Sequence, residues 1–184
     1  MTEEDLKVNF RLTWIYMDSE TKERFQAASD LGWAYKSLVQ QCLGAFFTVH
    51  RNFYAIAAKA DWEARGMEQT AYYDALQAGD KLPEYKGEKP DWSRLKKADG
   101  EFYQVPLSTV ASPATDKENG QRYNSVTTSR ANYASLMVAQ IVHGVPLTTL
   151  VSIIVKEHFA KYWDRTYQTQ IKMHREKRFT LKED

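Results

Sequence analysis

The sequence predicts a mainly α-helical fold with a short β-ribbon, arranged as two similar units joined by a long connector. The first observation is an internal repeat, which is evidence about a fold that single propensities cannot supply. Gly32 and Gly144 are each followed by a small hydroxyl residue five positions later, then by apolar residues at six, seven, ten and eleven. The second is a strand-like alternation near residue 10. The third is the segment Gly79 to Gly120, which holds four of the five prolines.

Composition allows a substantial core but leaves the partner open. The chain has 184 residues, 43% of them hydrophobic, and a formal net charge of +1. Charge is unevenly distributed, because residues 121–184 carry ten basic and five acidic side chains. This surplus favours a polyanion partner or a solvated face. The lone Cys42 excludes an intramolecular disulfide and is predicted to be a small core residue.

The first unit should contain one strand and two helices. Residues Lys7 to Trp14 alternate polar and apolar, so one face of a strand would bury Val8, Phe10, Leu12 and Trp14. Asp18 or Ser19 then caps a helix that stops near Gly32. Apolar residues at three- and four-residue steps predict a long helix from about Trp33 to about Ala64.

The middle of the chain should be one helix followed by irregular structure. Met67 to Ala78 is predicted to be helical, and the connector from Gly79 to Gly120 has few regular patterns apart from a short strand at Phe102 to Val105. A loop of this length is usually functional or mobile. Carboxylate pairs such as Asp61 and Glu63 are predicted to lie on the surface.

The second unit should repeat the first. Residues Arg122 to Thr128 suit a short strand, Ser129 a helix cap, and Pro146 the first turn of the helix that starts near Leu147. A polar helix is predicted to continue to about Arg178. The domain division that follows has four parts: a first unit at 1–66, a helix with irregular connector at 67–120, a second unit at 121–163, and a basic C-terminal tail at 164–184.

The order strand, helix, glycine turn and helix is predicted twice. This arrangement resembles the ribbon-helix-helix family of DNA-binding proteins, which includes the Arc and MetJ repressors and some plasmid partition proteins. The residues that carry the resemblance are Lys7 to Trp14, Asp18 to Leu31, Gly32 to Leu43 and their counterparts from Arg122 to Phe159. The resemblance implies that two strands pair antiparallel and enter the DNA major groove, which a two-stranded ribbon fits.

The resemblance implies a set of base-reading side chains on the outward face of the ribbon. In the first strand this set is Lys7, Asn9, Arg11 and Thr13. Arginine can form a bidentate contact with guanine, and asparagine can form one with adenine. The second strand has two possible registers, because a one-residue slip exchanges its faces. The outward set is then either Tyr123, Ser125 and Thr127 or Arg122, Asn124 and Val126. The alternative is that the polar faces of both strands are solvated and contact no DNA.

Phosphate contacts are implied at two further places. In the family the start of the second helix meets the DNA backbone, and helix N-termini suit anions. The matching residues are Lys36, Ser37, Thr148 and Thr149, for which ordinary first-turn chemistry is the alternative. The basic tail residues Lys172, Arg175, Lys177 and Arg178, with His174, could contact phosphates or a partner, or form a solvated helix.

The leading prediction is therefore a DNA-binding protein that acts as a transcriptional repressor or partition adaptor on double-stranded DNA. Pairing could occur within one chain or in a homodimer. The rival is a helical scaffold or small subunit of a larger nucleoprotein assembly, with a protein partner bound through the basic tail or the aromatic middle residues. These are Tyr72, Tyr73, Tyr85, Trp92, Phe102 and Tyr103.

Enzymatic motifs have no support in the sequence. The four histidines are scattered without metal-ligand spacing, and there is no phosphate-binding glycine loop and no nucleophile elbow. His50 and His158 are expected in a core or interface. No catalytic residue, cofactor or metal is predicted. The apolar windows are too short to span a bilayer, and the first residues lack a signal-peptide pattern, so a cytoplasmic location without membrane contact is expected.

Overall fold

The described part of the chain is mainly helical and carries two small antiparallel sheets. The computed structural model describes residues 6–113 and 119–180, with side chains described as far as Lys177. The predicted mainly helical class is confirmed, and so is the presence of short strands.

The N-terminal segment forms two short strands instead of the one predicted. Strand β1 spans Lys7–Arg11 and strand β2 spans Trp14–Ile15. The break arises because the chain changes partner: β1 pairs antiparallel with a strand at Ser125–Ser129, whereas β2 pairs with Gln121–Arg122. The alternation of buried residues shifts phase at the same point, from Phe10 and Leu12 to Ile15 and Met17.

The two helices predicted for the first unit are confirmed. Helix α1 spans Ser19–Asp30, and the Asp18 carboxylate caps it by accepting a hydrogen bond of 2.7 Å from the Thr21 amide. Helix α2 spans Tyr35–Arg65. It ends at Gly66, whose φ of 66° is the left-handed conformation that glycine adopts at least cost.

The connector is irregular, as predicted, yet it packs against the core. Helix α3 spans Gln69–Ala78, and within its described residues, 79–113 and 119–120, the connector holds a single 3-10 turn at Trp92–Arg94. The strand predicted at Phe102 to Val105 is wrong. The chain makes a tight turn between Lys97 and Glu101, so that only Phe102 forms a bridge, to Lys96. Partly buried connector side chains rest on the core: Leu82, Trp92, Leu95, Tyr103, Val105 and Leu107.

The second half begins with the partners of the first two strands. Strand β3 spans Gln121–Arg122 and strand β4 spans Ser125–Ser129. The single strand predicted for Arg122 to Thr128 is therefore wrong in the same way as the first, because the chain leaves one sheet and enters the other.

Three helices complete the chain. Helix α4 spans Arg130–His143 and is capped by Ser129, whose hydroxyl accepts a hydrogen bond of 3.1 Å from the Asn132 amide. Helix α5 spans Leu147–Tyr162 and is preceded by Pro146. A π-helical turn at Trp163–Tyr167 leads into helix α6, Gln168–Thr180.

One hydrophobic cluster includes residues from both halves of the chain. The β1–β4 pair packs on α2 and α4, whereas α1 packs on α5 and α2. Ser152 ties α5 to the N-terminal segment, because its hydroxyl accepts a hydrogen bond of 2.9 Å from the Tyr16 amide. Among the described residues no single helix is long and apolar enough to cross a membrane; α4 with the α5–α6 segment passes that test as a pair bent by 101°.

Candidate nucleic-acid interface

The β1–β4 pair, called the ribbon here, joins two segments from opposite halves of the chain. Its register places Lys7 opposite Ser129, Asn9 opposite Thr127 and Arg11 opposite Ser125. Side chains at alternate positions share a face of a strand, so these six residues lie together on one side. The Thr127 hydroxyl donates a hydrogen bond of 3.2 Å to the Asn9 side-chain oxygen. A polar face of three residues from each strand results.

The opposite face of the ribbon is anchored in the core. Phe10, Val126 and Thr128 are buried there, and the Phe10 ring lies 5.6 Å from the ring of Tyr133 on α4. A two-stranded ribbon is marginally stable alone. Burial of this face against α2 and α4 therefore holds the polar face in place and turns it outward.

Three of the predicted base-reading residues of the first strand lie on the ribbon, and the fourth does not. Lys7, Asn9 and Arg11 are exposed on its polar face. Thr13 is exposed beyond the end of β1. Its carbonyl oxygen accepts a hydrogen bond of 3.2 Å from the Tyr123 amide, at the passage between the two sheets.

Strand β4 follows the first of the two predicted registers at Ser125 and Thr127, but not at Tyr123, which lies before the strand. Ser125 and Thr127 lie on the polar face, whereas Tyr123 and Val126 are buried, so the outward positions predicted for Tyr123 and Val126 are wrong. Tyr123 turns inward because its hydroxyl donates to the Tyr35 carbonyl and its ring joins the core. Arg122 and Asn124 are exposed beside the ribbon. The guanidinium of Arg122 lies 6.0 Å from the centre of the Trp14 ring.

The two halves of the chain differ in the spacing between strand and glycine turn. Strand β1 lies farther from Gly32 than β4 lies from Gly144. The first unit holds additional residues at Leu12 to Met17, which include β2 and pair with β3 instead of the ribbon. A change of partner within a run of alternating residues leaves no clear signal in sequence.

The predicted phosphate contacts at the start of α2 lie next to the ribbon. Lys36 and Ser37 are exposed in the first turn of α2, and Ala34 provides no side-chain cap for its amides. A groove at this point is lined by Lys36 together with Arg122 and Asn124. One end of the ribbon thus carries three cationic side chains: Arg11, Arg122 and Lys36.

The start of α5 lies elsewhere. Thr148 and Thr149 are half-buried, and the Thr148 carbonyl accepts a 2.7 Å hydrogen bond from Ser152. The turn before α5 packs against the C-terminal half of α2, where His143 meets Tyr54 at 2.8 Å and Pro146 shares a groove with Arg65. Tyr54 is about 27 Å along α2 from Lys36, from the rise of 1.5 Å per residue. The structure does not bring these two predicted phosphate sets together.

The basic tail starts near α2. Tyr167 is buried before α6, its hydroxyl 2.8 Å from His158 and its ring 5.5 Å from the ring of Trp33. Trp33 precedes α2 by two residues. The exposed residues Lys172, Arg175 and Lys177 follow on α6, together with His174. The side chain of Arg178 lies outside the described residues.

Burial shifts the ionisation of several groups around this framework. It lowers the pKa of His143 to about 4 and that of His158 to about 4, the second with help from the positive charge of Lys161. His158 is buried, as expected for a core histidine. His50 is half-buried, and its ring lies 4.6 Å from that of Phe46.

A buried polar cluster around Asp61 was missed. Asp61 is 0% exposed, so its predicted surface position is wrong. Its carboxylate accepts hydrogen bonds from Arg65 at 2.9 Å, Tyr72 at 2.9 Å and Tyr85 at 2.7 Å. Asp61 continues the buried stripe of Tyr54, Ala57 and Ala58, and this spacing is the signal that could have revealed it.

We call Asp61, Arg65, Tyr72 and Tyr85 the Asp61 cluster, and it fastens the connector to α2. Burial, followed by the hydrogen bond to Asp61, raises the pKa of Tyr85 to about 12. Although burial opposes its charge, Arg65 has a raised pKa because it bonds to Asp61. Arg65 also donates to the Pro83 carbonyl at 2.5 Å. Within the described part of the chain, no three His, Cys, Asp or Glu residues are placed to hold a metal ion.

Comparison with known proteins gives no relative for this arrangement. No family model matches the chain, and no curated protein or solved structure matches it. Its likeness to the ribbon-helix-helix family therefore remains a resemblance carried by the residues quoted above.

Proposed function

We propose that this chain binds duplex DNA by placing the β1–β4 ribbon in the major groove, as a pair of ribbon-helix-helix-like units closed within one chain. The observation that carries the proposal is the antiparallel pairing of Lys7–Arg11 with Ser125–Ser129. Two strands from opposite halves of the chain form one ribbon, with one polar and one buried face. A two-stranded ribbon has the width that the major groove admits.

The polar face has the chemistry for reading bases. Arg11 offers a bidentate contact to guanine, Asn9 offers one to adenine, and the hydroxyl residues of β4 can bond to any base edge. Lys36 and Arg122 stand beside the ribbon, where cations would neutralise phosphates. The role that follows for the protein is that of a repressor or a DNA-bound adaptor.

The structure departs from two regular copies of the family pattern in two ways. In such copies α1 would correspond to α4, and α2 to α5. Here the ribbon rests on one helix of each kind, α2 and α4, while α1 packs on α5. The start of α5 lies beside the C-terminal half of α2. The proposal therefore assigns phosphate binding to Lys36, Ser37, Arg122 and the basic tail, and leaves Thr148 and Thr149 out.

The scaffold alternative has two predicted surfaces for a protein partner, the basic tail and the aromatic residues in the middle of the chain. Tyr72 is buried, and Tyr73, Tyr85, Trp92 and Tyr103 are half-buried against the core. Phe102, at 52% exposure, is the large hydrophobic side chain of this set that faces solvent. These aromatic residues pack mainly inward, which favours the DNA-binding proposal over the scaffold.

Replacing Arg11 by alanine is expected to weaken binding to the preferred sequence by about 1–3 kcal/mol and to relax the sequence preference. Fluorescence anisotropy of the purified chain on random duplex DNA and on its own upstream region measures both effects across a salt series. Lys59→Ala is the matched control, because Lys59 is an exposed cation of α2 far along the helix from Lys36. Equal losses on every sequence would defeat the base-reading role of Arg11, and no duplex binding at low salt would defeat the proposal.

Replacing Lys36 by alanine should weaken binding to all sequences alike. A lost phosphate contact reduces the slope of log affinity against log salt by about 1, and Lys172→Ala should act in the same way. The Thr148→Ala variant serves as a comparison, since Thr148 lies outside the proposed interface. A wild-type slope for the Lys36 and Lys172 variants would remove these residues from the DNA contact.

A further inference from the structure

The ribbon has a local two-fold axis in its backbone. Its two strands are antiparallel and of equal length, and Asn9 faces Thr127 at the centre. Rotation about this centre exchanges the strands, so that Lys7 takes the place of Ser125 and Arg11 takes the place of Ser129. In a homodimeric ribbon these positions would carry identical side chains, and the preferred DNA site would be palindromic.

The side chains of this ribbon break the two-fold relation at every outward position. A lysine is related to Ser125, an asparagine to Thr127 and an arginine to Ser129. Both cations belong to β1, and β4 supplies hydroxyl groups. The difference is largest between Arg11 and Ser129. Arg11 presents a rigid fork of five donors. The Ser129 hydroxyl already accepts a hydrogen bond from the Asn132 amide as the cap of α4.

The two ends of the ribbon also differ in their surroundings. The end at Arg11 and Ser125 leads into the second small sheet, where Arg122 and Asn124 border the groove with Lys36. The end at Lys7 and Ser129 leads into α4, whose first residue, Arg130, is exposed, and the groove there is lined by Lys7 together with Gln40 and Asn132. The Arg11 end therefore carries three cationic side chains, Arg11, Arg122 and Lys36, whereas the other end carries two, Lys7 and Arg130.

We infer that one chain binds one non-palindromic duplex site, with its strongest base preference, a guanine, under Arg11. The position related to it by the ribbon axis carries no matching preference, because Ser129 has neither the charge nor the fork. The chain therefore binds in a single orientation, with the Arg11 end on the half-site that receives most phosphate contacts. This inference rests on the proposed function.

The test selects preferred sequences from a random duplex pool with the purified full-length chain. The number of chains per duplex is then measured by sedimentation at concentrations above the dissociation constant. The expected result is a non-palindromic motif bound by a single chain. Arg11→Ser makes positions 11 and 129 alike, so it should remove the guanine preference and reduce affinity for the selected site by at least 5-fold. Lys59→Ser removes an exposed cation of α2 outside the ribbon, and it should leave the motif unchanged.

The outcomes separate the inference from the proposal beneath it. A palindromic motif bound by two chains would overturn the inference and keep the DNA-binding function. An unchanged motif with Arg11→Ser would also overturn it, provided that circular dichroism shows the variant to be folded. Absence of any enrichment or duplex binding would overturn both the proposed function and the inference.

Discussion

Replacing Asp61 by alanine is expected to lower the free energy of unfolding by about 3–5 kcal/mol, the range for removing one partner of a buried ion pair. The substitution leaves the guanidinium of Arg65 without its carboxylate in a mostly buried position. It also removes the acceptor of the Tyr72 and Tyr85 hydroxyl groups. Denaturant unfolding followed by circular dichroism measures the loss.

Two variants give this prediction its controls. Asp74→Ala removes an exposed carboxylate of α3 and should change stability by no more than about 0.5 kcal/mol. Asp61→Asn keeps an acceptor oxygen for a tyrosine hydroxyl but loses the charge, so it should fall between alanine and the wild type. Because Tyr85 and the Pro83 carbonyl belong to the connector, the alanine variant should also be cleaved faster there by proteases. A stability loss as small as that of Asp74→Ala would show that the Asp61 cluster contributes little.

Acid is expected to destabilise the protein through His158. Burial lowers the pKa of His158 to about 4 in the folded state, whereas an unfolded histidine titrates near 6.5. The unfolded chain therefore binds more protons between these two values. The contribution of His158 to stability should be constant above about pH 6.5, fall as the pH is lowered through this window, and be smaller by about 3 kcal/mol below pH 4. His143, whose pKa burial also lowers to about 4, acts in the same direction.

Unfolding of wild type and His158→Gln at pH 7.5 and pH 5 isolates this effect. The variant should lose less stability on acidification, because glutamine does not titrate. The comparison matters because burial raises the pKa of the adjacent Glu157, which has the opposite influence on stability as the pH falls. His174→Gln, an exposed change on α6, should behave as wild type. Identical acid sensitivity of His158→Gln and wild type would contradict the prediction.

The helices could be predicted because their signals are local. The stripe from Leu38 to Tyr54 repeats every three or four residues, and the chain supplies Asp18, Ser129 and the glycines after α2 and α4 at the helix ends. Lys7, Asn9 and Arg11 could be placed on one exposed face because the alternation of β1 is regular. These predictions depend on neighbours in sequence.

The remaining features depend on contacts between distant residues. The inward position of Tyr123 depends on the core and on the Tyr35 carbonyl, which are distant from it in sequence. The buried state of Asp61 depends on Tyr85 in the connector as much as on its own helix. The position of α5 depends on how α4 crosses α2. Local periodicity carries no information about such partners.

The ribbon also has a consequence for the protein during its synthesis on the ribosome. Roughly 110 residues of chain separate Arg11 from Ser125, so β1 leaves the ribosome long before its partner has been made. At 5–20 residues per second this interval lasts roughly 6 to 23 s. Throughout that time the backbone edge of β1 has no partner, and its apolar face is not covered by α4. The nascent N-terminal half is therefore the species most open to chaperone binding and to pairing with a neighbouring chain.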